Sequence, residues 1–453
     1  MALIETISGA EQKQWAITNV LLNDQIVSIV ILGSKVSKVI SGRQAWANAD
    51  LRRIETMNGD ELIAIPALVG PHCHSRVMGE EHKEDQHTVV LAAEYGGVQI
   101  IGDMPNNKKP IITIEALEEK IQIFRGCRNV DVRFWFGATP NNQTEFGSLM
   151  PHYRHQVLGL KQYDGSSTGS LLVAKEQDQR KNCEYAAINN LILARHAEDE
   201  AMMVERYGRI EAARGGKVLV SDHCQIRDTE VEVSAVRRAL RQNKDIGGKL
   251  YLCHLSAPES VELAYDAKQA GQEVYVEVCI HHLFFNDSFL NGDKGPFFKM
   301  NPALRTAKQV LRLRELVCLP DYVDVIADDH APHLVAEKKS GQYGTTPSGV
   351  TGLETTFSAL WSLVNYGQMT IDRFISLTSR RAAEIFNLDA GVIQADSPAN
   401  FVLVDPNKEV RWDNSMIHSK CAWTPFHGYV FNADIKYTIH QGTCKRIVRD
   451  AVV

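Results

Sequence analysis

Between residues 62 and 327 one pattern repeats along the chain: short apolar runs suited to β-strands alternate with amphipathic stretches suited to helices. Strands that alternate with helices in this way form parallel sheets, and eight βα units favour closure into a barrel. The apolar runs cover residues 62–69, 98–104, 132–138, 157–163, 190–195, 249–253, 273–280 and 323–327. The sequence therefore predicts an α/β protein with a TIM-like (β/α)8 barrel over residues 62–390.

Both ends of the chain carry a different pattern, made of β-branched runs separated by turn residues. Such runs fill residues 15–40, and the same pattern returns after the barrel. Because both ends are β-rich and the middle is not, the simplest packing joins the ends. We expect residues 1–61 and 391–453 to form one small β-sandwich beside the barrel.

Chemically unusual side chains follow the apolar runs, at the positions where a barrel carries its catalytic groups. The first run leads to His72, His74 and Arg76, and in an extended segment the two imidazoles project from the same face. The later runs contain or precede further polar groups, namely Asn106, Lys161, His196, His254, Asp329 and His333. We expect these side chains to converge on one mouth of the barrel.

Four histidines, a lysine and an aspartate suit a site for two divalent metals, because imidazole and carboxylate are the ligands of zinc-type sites. Two such ions can share a bridging hydroxide, which is a hydrolytic nucleophile at neutral pH. Lys161 is the unusual member, since an ammonium inside an apolar strand beside two cations is strongly disfavoured. A neutral Lys161 could add carbon dioxide and become a bridging carbamate. The alternative is a snorkelling or salt-bridged lysine.

Charge and cysteine content indicate which partners and compartment to expect. The chain has 49 basic and 55 acidic residues, a net charge of −6, without long blocks of either sign. This balance does not indicate a nucleic-acid or anionic-membrane surface, so we expect a small-molecule substrate. Nine cysteines are scattered without a Cys-x-x-Cys pair, which predicts reduced thiols and a cytoplasmic protein.

An ordered set of motifs matches one known family. The motifs are His72-Cys-His-Ser-Arg76, Asp103-Met-Pro-Asn106, Gly159-Leu-Lys161, His196-Ala-Glu-Asp199, Cys253-His-Leu-Ser256, Glu277-Val-Cys-Ile-His-His-Leu283, Lys299-Met-Asn-Pro302 and Asp329-His-Ala-Pro-His333. In their order and spacing they resemble the dihydroorotases of the amidohydrolase superfamily. The resemblance covers most of the chain.

The resemblance implies two divalent ions, with zinc as the expected metal, held by a defined set of side chains. These are His72, His74 and Asp329 for the first ion, His196 and His254 for the second, and carbamylated Lys161 between them. Asp329 would also act as general base and acid, taking a proton from the bridging water and passing it to the leaving amide nitrogen. Asp164 is a rival for the bridging position, because some relatives use an aspartate in place of the modified lysine.

The resemblance also implies a substrate. Arg76, Asn106 and His333 would bind a carboxylate, with Asn301 as a further candidate, and a guanidinium can do so bidentately. The expected reaction is the reversible opening of dihydroorotate to N-carbamoyl-aspartate in pyrimidine synthesis. Hydantoinase or allantoinase activity is the alternative within the same chemistry. An inactive barrel that serves aspartate transcarbamoylase as a structural partner is the alternative from another class, and a homodimer or other homo-oligomer is also expected.

Some positions depart from the family's pattern. Gly70 stands where the family has an aspartate two residues before the first histidine, so a hydrogen-bond acceptor is missing there or supplied elsewhere. Asp328 replaces the usual Ser or Thr before Asp329 and adds negative charge near the site. His281 and His282 match a family feature, and we expect both to be hydrogen-bonded within the barrel and not to be metal ligands.

Overall fold

A computed structural model describes residues 5–8, 14–43, 54–167, 169 and 171–449. The strands, in chain order, are β1 (Glu5–Ser8), β2 (Gln14–Leu22), β3 (Gln25–Leu32), β4 (Lys35–Ser41), β5 (Glu55–Asn58), β6 (Ile63–Pro66), β7 (Leu68–Cys73), β8 (Val98–Asp103), β9 (Asp131–Gly137), β10 (Val157–Tyr163), β11 (Ile192–His196), β12 (Lys249–Leu252), β13 (Val274–Cys279), β14 (Val325–Ala327), β15 (Phe401–Arg411), β16 (Val430–His440) and β17 (Thr443–Arg446).

The α-helices follow the barrel strands along the chain. They are α1 (Gln86–Tyr95), α2 (Ile114–Phe124), α3 (Gln143–Tyr153), α4 (Glu176–Ile188), α5 (Glu200–Ala213), α6 (His223–Ile226), α7 (Thr229–Ile246), α8 (Pro258–Gln269), α9 (Ile280–Phe284), α10 (Ala307–Cys318), α11 (Val335–Lys338), α12 (Thr356–Asn365), α13 (Ile371–Ile375) and α14 (Arg381–Phe386). Within the described ranges, none of these helices combines the length and the apolar composition that a membrane crossing requires.

Strands β7 to β14 form one parallel sheet in which each strand pairs with the next along the chain. An isolated parallel bridge between Cys73 and His330 draws the two edges of this sheet together. The predicted (β/α)8 barrel is therefore confirmed, as a nearly closed one. Toward the amino ends of its strands the interior is filled by apolar side chains, among them Val69, Trp135 and Leu158. That end is a packed core, so polar chemistry is confined to the carboxyl ends.

The two chain ends meet in a separate sheet. In the described part of the chain its strand order is β1-β17-β16-β15-β6-β2-β3-β4, with β5 paired to β2. Side chains from both ends share its core, including Trp15 and Ile29 from the first part and Phe401 and Leu403 from the last. The prediction of one β unit built from both ends is confirmed.

The first apolar run differs from the prediction, because the structure divides it between the two sheets. β6 pairs with β15 in the end sheet, whereas β7 pairs with β8 in the barrel. Pro66 has no N–H to continue the ladder, and the Ala67 N–H donates to the Asn400 carbonyl at 3.2 Å. The barrel strand therefore begins at Leu68 and includes His72.

Side-chain caps determine where two helices begin. The Asp85 carboxylate accepts from the N–H groups of His87 and Thr88, each at 3.0 Å, so α1 begins at Gln86. Thr113 caps α2 in the same way, at 3.3 Å from the Ala116 N–H. Both caps lie in the connections that leave the carboxyl ends of the strands, and they fix how those connections leave the site.

Candidate metal centre

The predicted ligands of the first metal come together at the carboxyl end of the barrel. His72 belongs to β7, His74 follows that strand, and Asp329 follows β14. Asp329 Oδ1 lies 3.1 Å from His74 Nε2 and 3.4 Å from His72 Nε2. One donor atom from each residue lies within 4.8 Å of the other two, a spacing that a single ion can span. This donor set fits a zinc-type ion.

The predicted ligands of the second metal lie next to the first group. His196 Nδ1 is 3.0 Å from His254 Nε2, and the His72 and His254 ring centroids are 5.1 Å apart. Nδ1 of His254 is buried and has no hydrogen-bond partner among the described residues. The nitrogens that face each other, His196 Nδ1 and His254 Nε2, are the ones that an ion between the two rings would take, so this pair can hold a metal.

Lys161 extends from β10 into the same cluster. Its side chain is fully buried, and Nζ donates to the Cys253 thiol at 3.0 Å. The charge on this amine contributes to lowering the pKa values of His196 and His254, after the larger effect of burial. Lys161 thus lies buried beside the strand that carries the predicted ligand His254.

Asp164, the rival for that position, lies on the other side of its strand. Its Oδ2 accepts from Nε and Nη2 of Arg195 at 2.9 and 2.5 Å, and its Oδ1 accepts from Gln162 at 2.6 Å. The network continues from Gln162 to Asn182 of α4. Since side chains alternate along a strand, Lys161 faces the barrel interior while Asp164 packs against the helical layer.

Three site residues adopt a left-handed backbone that only glycine accepts easily. The φ angles are 62° at Arg76, 37° at His254 and 38° at Asp329. Non-glycine residues in this region are uncommon, and they cluster at functional sites because the surrounding structure must hold them there. The fold thus holds these three residues in a conformation that they rarely adopt.

Buried carboxylates orient two of the imidazoles. Glu277 Oε1 lies 2.7 Å from His72 Nδ1, and Glu277 also accepts from the Tyr251 hydroxyl at 2.8 Å. Glu198 Oε2 lies 2.7 Å from His196 Nε2 and forms an ion pair with Arg227. Such partners fix the ring and its tautomer. Sequence reasoning assigned neither carboxylate, although a glutamate inside the apolar run of β13 was a usable signal.

Burial and nearby charges shift the pKa values of the His72 and His74 imidazoles in opposite directions. Burial lowers the pKa of His74 to about 4, helped by the charge of Arg76. Burial also lowers the pKa of His72, but the carboxylates of Glu277 and Asp329 outweigh it and raise the pKa to about 10. Neutral imidazole is the metal-binding form, and the negative potential around His72 attracts a cation.

Of the four predicted carboxylate-binding residues, Arg76 and His333 contact each other. Arg76 is 2% exposed; its Nε donates to the Pro332 carbonyl at 3.1 Å, and its Nη2 lies 3.1 Å from His333 Nε2. Asn106 is buried and packs against Gly169. Oδ1 of Asn301 is buried without a hydrogen-bond partner among the described residues. The structure therefore joins Arg76 to His333 directly.

The two departures from the family pattern prove to be neighbours. A Cβ placed on Gly70 would lie 2.9 Å from Asp328 Oδ2, so the Asp328 carboxylate occupies the space beside residue 70. Its other oxygen accepts from the His330 N–H at 2.9 Å. Burial raises the pKa of Asp328 to about 7. Asp328 thus supplies a carboxylate next to the position where Gly70 lacks one.

One expectation about the paired histidines was wrong. His282 Nε2 does meet the Pro302 carbonyl at 3.0 Å, as expected. Both ring nitrogens of His281, however, are buried without a hydrogen-bond partner among the described residues. His281 is the second residue of α9, just after the carboxyl end of β13, and one of its ring nitrogens lies within 4.8 Å of donor atoms of Cys279 and Asp329.

A parallel barrel that gathers histidines, a buried lysine and an aspartate at the carboxyl ends of its strands defines a hydrolase-type enzyme with a candidate metal centre. The model of the amidohydrolase family matches residues 63–451. The chain belongs to the amidohydrolase family, so the resemblance seen in the sequence is confirmed at this level.

Individual proteins similar to this chain include two dihydroorotases and one hydantoinase. The chain is 33% identical to a dihydroorotase of Methanosarcina mazei, over 92% of this chain and 90% of that protein. It is 32% identical to a dihydroorotase of Halobacterium salinarum, over 85% and 84%. Among solved structures, an L-hydantoinase (dihydropyrimidinase) from Arthrobacter aurescens covers 98% of each chain with a TM-score of 0.89 at 23% identity. At that identity the last likeness concerns the fold alone.

Proposed function

We propose that this chain is a dihydroorotase, which interconverts dihydroorotate and N-carbamoyl-aspartate by reversible hydrolysis of the ring amide. The relatives named dihydroorotase match over most of their length at 32–33% identity, which supports this assignment. The observation that carries it is the buried contact between Arg76 and His333. Arg76 lies two residues after the proposed ligand His74, and His333 lies four residues after the proposed ligand Asp329. A carboxylate-binding group thereby adjoins the candidate metal ligands.

Arg76 selects for a substrate with a carboxylate. The guanidinium is buried, and the carboxylate of Glu80 lies 4.0 Å from its Nη1. A buried charge is costly unless it is closely paired, so a substrate anion that pairs with Arg76 gains binding energy. A hydantoin ring without that anion would add no partner to the long contact with Glu80. This favours dihydroorotate over the substrates of hydantoinases.

Asp329 carries the proton in this proposal. Burial alone would raise the pKa of its carboxyl, but a protonated His72 and the hydrogen bond from His74 hold it well below its usual range. A bound cation would take over the role of the His72 charge once that imidazole is a neutral ligand. An ionised carboxylate can accept a proton from the attacking water and return it to the ring nitrogen as the amide bond breaks. Two divalent ions, with zinc as the proposed metal, would supply an acidified water and polarise the ring carbonyl.

Lys161 is proposed to be carbamylated and to join the two ions. Its buried position among the histidine ligands supports this role, and the engagement of Asp164 by Arg195 supports excluding the rival. Since all six proposed ligands are present at the carboxyl ends of the strands, a catalytic role is favoured over an inactive structural one.

The direction of the reaction should depend on pH. Ring opening consumes one water and releases a second carboxylate together with a proton. Lower pH therefore favours cyclisation.

Placement in pyrimidine synthesis in the cytoplasm is part of the proposal, and nine free cysteines are compatible with a reducing compartment. Assembly as a homo-oligomer, or with aspartate transcarbamoylase, is proposed from the family resemblance alone.

The test is an assay of the zinc-loaded protein with dihydroorotate and, in parallel, with a hydantoin that lacks the carboxylate. We expect turnover of the first to exceed that of the second. Asp329→Asn should lower kcat by about 100-fold or more, whereas Asp372→Asn, whose side chain is 79% exposed, serves as a matched surface control. Preference for the hydantoin, or full activity of Asp329→Asn, would refute the assignment.

A further inference from the structure

A second group of donor atoms adjoins the candidate metal centre and shares only Asp329 with it. The group consists of the Cys279 thiol at the end of β13, the His281 imidazole at the start of α9, and the Asp329 carboxylate. One donor atom from each lies within 4.8 Å of the other two. All three residues are buried, so the atoms face one another away from solvent.

His281 is the residue of this group whose ring nitrogens lack hydrogen-bond partners among the described residues. Its side chain is 1% exposed, and neither ring nitrogen has a hydrogen-bond partner within the described residues. Leaving a buried polar atom unpaired costs about 1–3 kcal/mol, so such atoms are normally satisfied. A cation bound by one of these nitrogens would give it a partner.

We infer that Cys279, His281 and Asp329 form an accessory binding site for a soft divalent cation such as Zn²⁺ or Cd²⁺. Thiolate and imidazole favour these ions over Mg²⁺ and Ca²⁺, and the carboxylate completes a three-ligand set. The thiolate is the form that binds, so the Cys279 thiol releases its proton to solvent when the ion enters.

A neighbouring group has similar ligand types but is already paired. It consists of His72, Cys253 and Glu277. His72 Nδ1 lies 2.7 Å from Glu277 Oε1, and the Cys253 thiol accepts from Lys161 at 3.0 Å. An ion bound there would have to displace both contacts. In the group around Cys279, Asp329 Oδ1 contacts His74 at 3.1 Å, whereas His281 has no hydrogen-bond partner in the part of the chain that the structure describes. This difference favours the group around Cys279.

Occupation of the accessory site affects turnover through Asp329, and this consequence rests on the proposed function. Both groups need the Asp329 carboxylate, so a cation in the accessory site would draw it away from the first catalytic ion. Asp329 would then no longer be held in position for the attacking water. The accessory ion is therefore an inhibitor, and the same ions at the catalytic centre are activators.

Cadmium titration of the zinc-loaded protein tests the site. Cadmium is the probe because sulfur-to-cadmium charge transfer absorbs in the ultraviolet, and the proposed catalytic ligands include no thiol. We expect one further Cd²⁺ per chain, with the charge-transfer band and with inhibition. In Cys279→Ala the band and the extra equivalent should disappear, and half-inhibition should need at least about tenfold more Cd²⁺.

Cys253→Ala is the matched control, since it removes the thiol of the neighbouring group. The band should persist in this variant. Survival of the band in Cys279→Ala, or its loss in Cys253→Ala, overturns the inference.

His281→Gln is a second variant of the site and should weaken cadmium binding. It replaces Cys279→Ala if near-ultraviolet circular dichroism shows that Cys279→Ala does not fold. Cadmium binding with the band in a protein that does not turn over dihydroorotate would refute the proposed function and leave this site standing.

Discussion

Replacing Asp164 by Asn should destabilise the fold while the metal centre stays loaded. Asp164 and Arg195 are both fully buried, and they are joined by two hydrogen bonds of 2.9 and 2.5 Å. Removing one partner of a buried ion pair typically costs about 3–5 kcal/mol. Asn keeps one acceptor oxygen, so we expect about 3 kcal/mol. Arg195→Met should cost about 5 kcal/mol, because it also removes the contacts with Gln179 and Gln242.

Urea unfolding gives the free energy of each variant, and elemental analysis gives its metal content. Asp245→Asn is the matched control, because its pair with Arg180, at 3.2 Å, is exposed, with 52% of the Asp245 side chain accessible. This control should lose at most about 1 kcal/mol. The double variant of Asp164 and Arg195 should cost less than the sum of the single ones.

The reasoning fails if Asp164→Asn loses a metal ion while its stability is unchanged. That result would make Asp164 a ligand and return it to the bridging position. A loss of stability no greater than that of Asp245→Asn would show instead that the buried pair is not important for folding.

Three further predictions concern the site and its surroundings. Arg76→Met should lower kcat/KM for dihydroorotate roughly 10- to 100-fold and affect a carboxylate-free hydantoin much less; equal losses for both would argue against a carboxylate clamp. Active protein supplied with carbon-13 bicarbonate should show a carbamate signal that Lys161→Ala lacks, and a free Lys161 amine in active, metal-replete protein would disprove the modification. Burial and the charge of Arg227 lower the pKa of Lys299 from 10.5 to about 7. The unfolded chain therefore binds one more proton between those values, so stability should rise with pH across that window by a few kcal/mol, on the order of the full shift. In melts of Lys299→Met this rise should be smaller, and an identical rise would contradict the assignment.

The alternation of apolar runs and amphipathic helices was enough to predict the barrel. Strand period, helix period and turn residues are local properties, so they can be read without knowing which segments meet. The ligand types were equally visible, because histidine, lysine and aspartate at the ends of apolar runs are chemically conspicuous. Even the boundaries of β10, residues 157–163, agree with the predicted run.

The contacts that give these residues their roles were not readable from the sequence. Glu277 meets His72 across 205 positions of chain, and Asp328 lies beside the space that Gly70 leaves open on a different strand. Both juxtapositions depend on strand register and on closure of the barrel. A local pattern contains no information on either.

The division between sequence and tertiary structure is clearest on β10. The sequence determined that Lys161 and Asp164 are two acceptable candidates for one bridging role. Tertiary structure separated them, because the pleat turns Lys161 toward the histidines and Asp164 toward Arg195 and the helices. Composition and spacing thus specified a barrel and the candidate ligand types at its mouth. Packing decided which side chain faces the candidate metal centre, and it left His281 without a hydrogen-bond partner among the described residues.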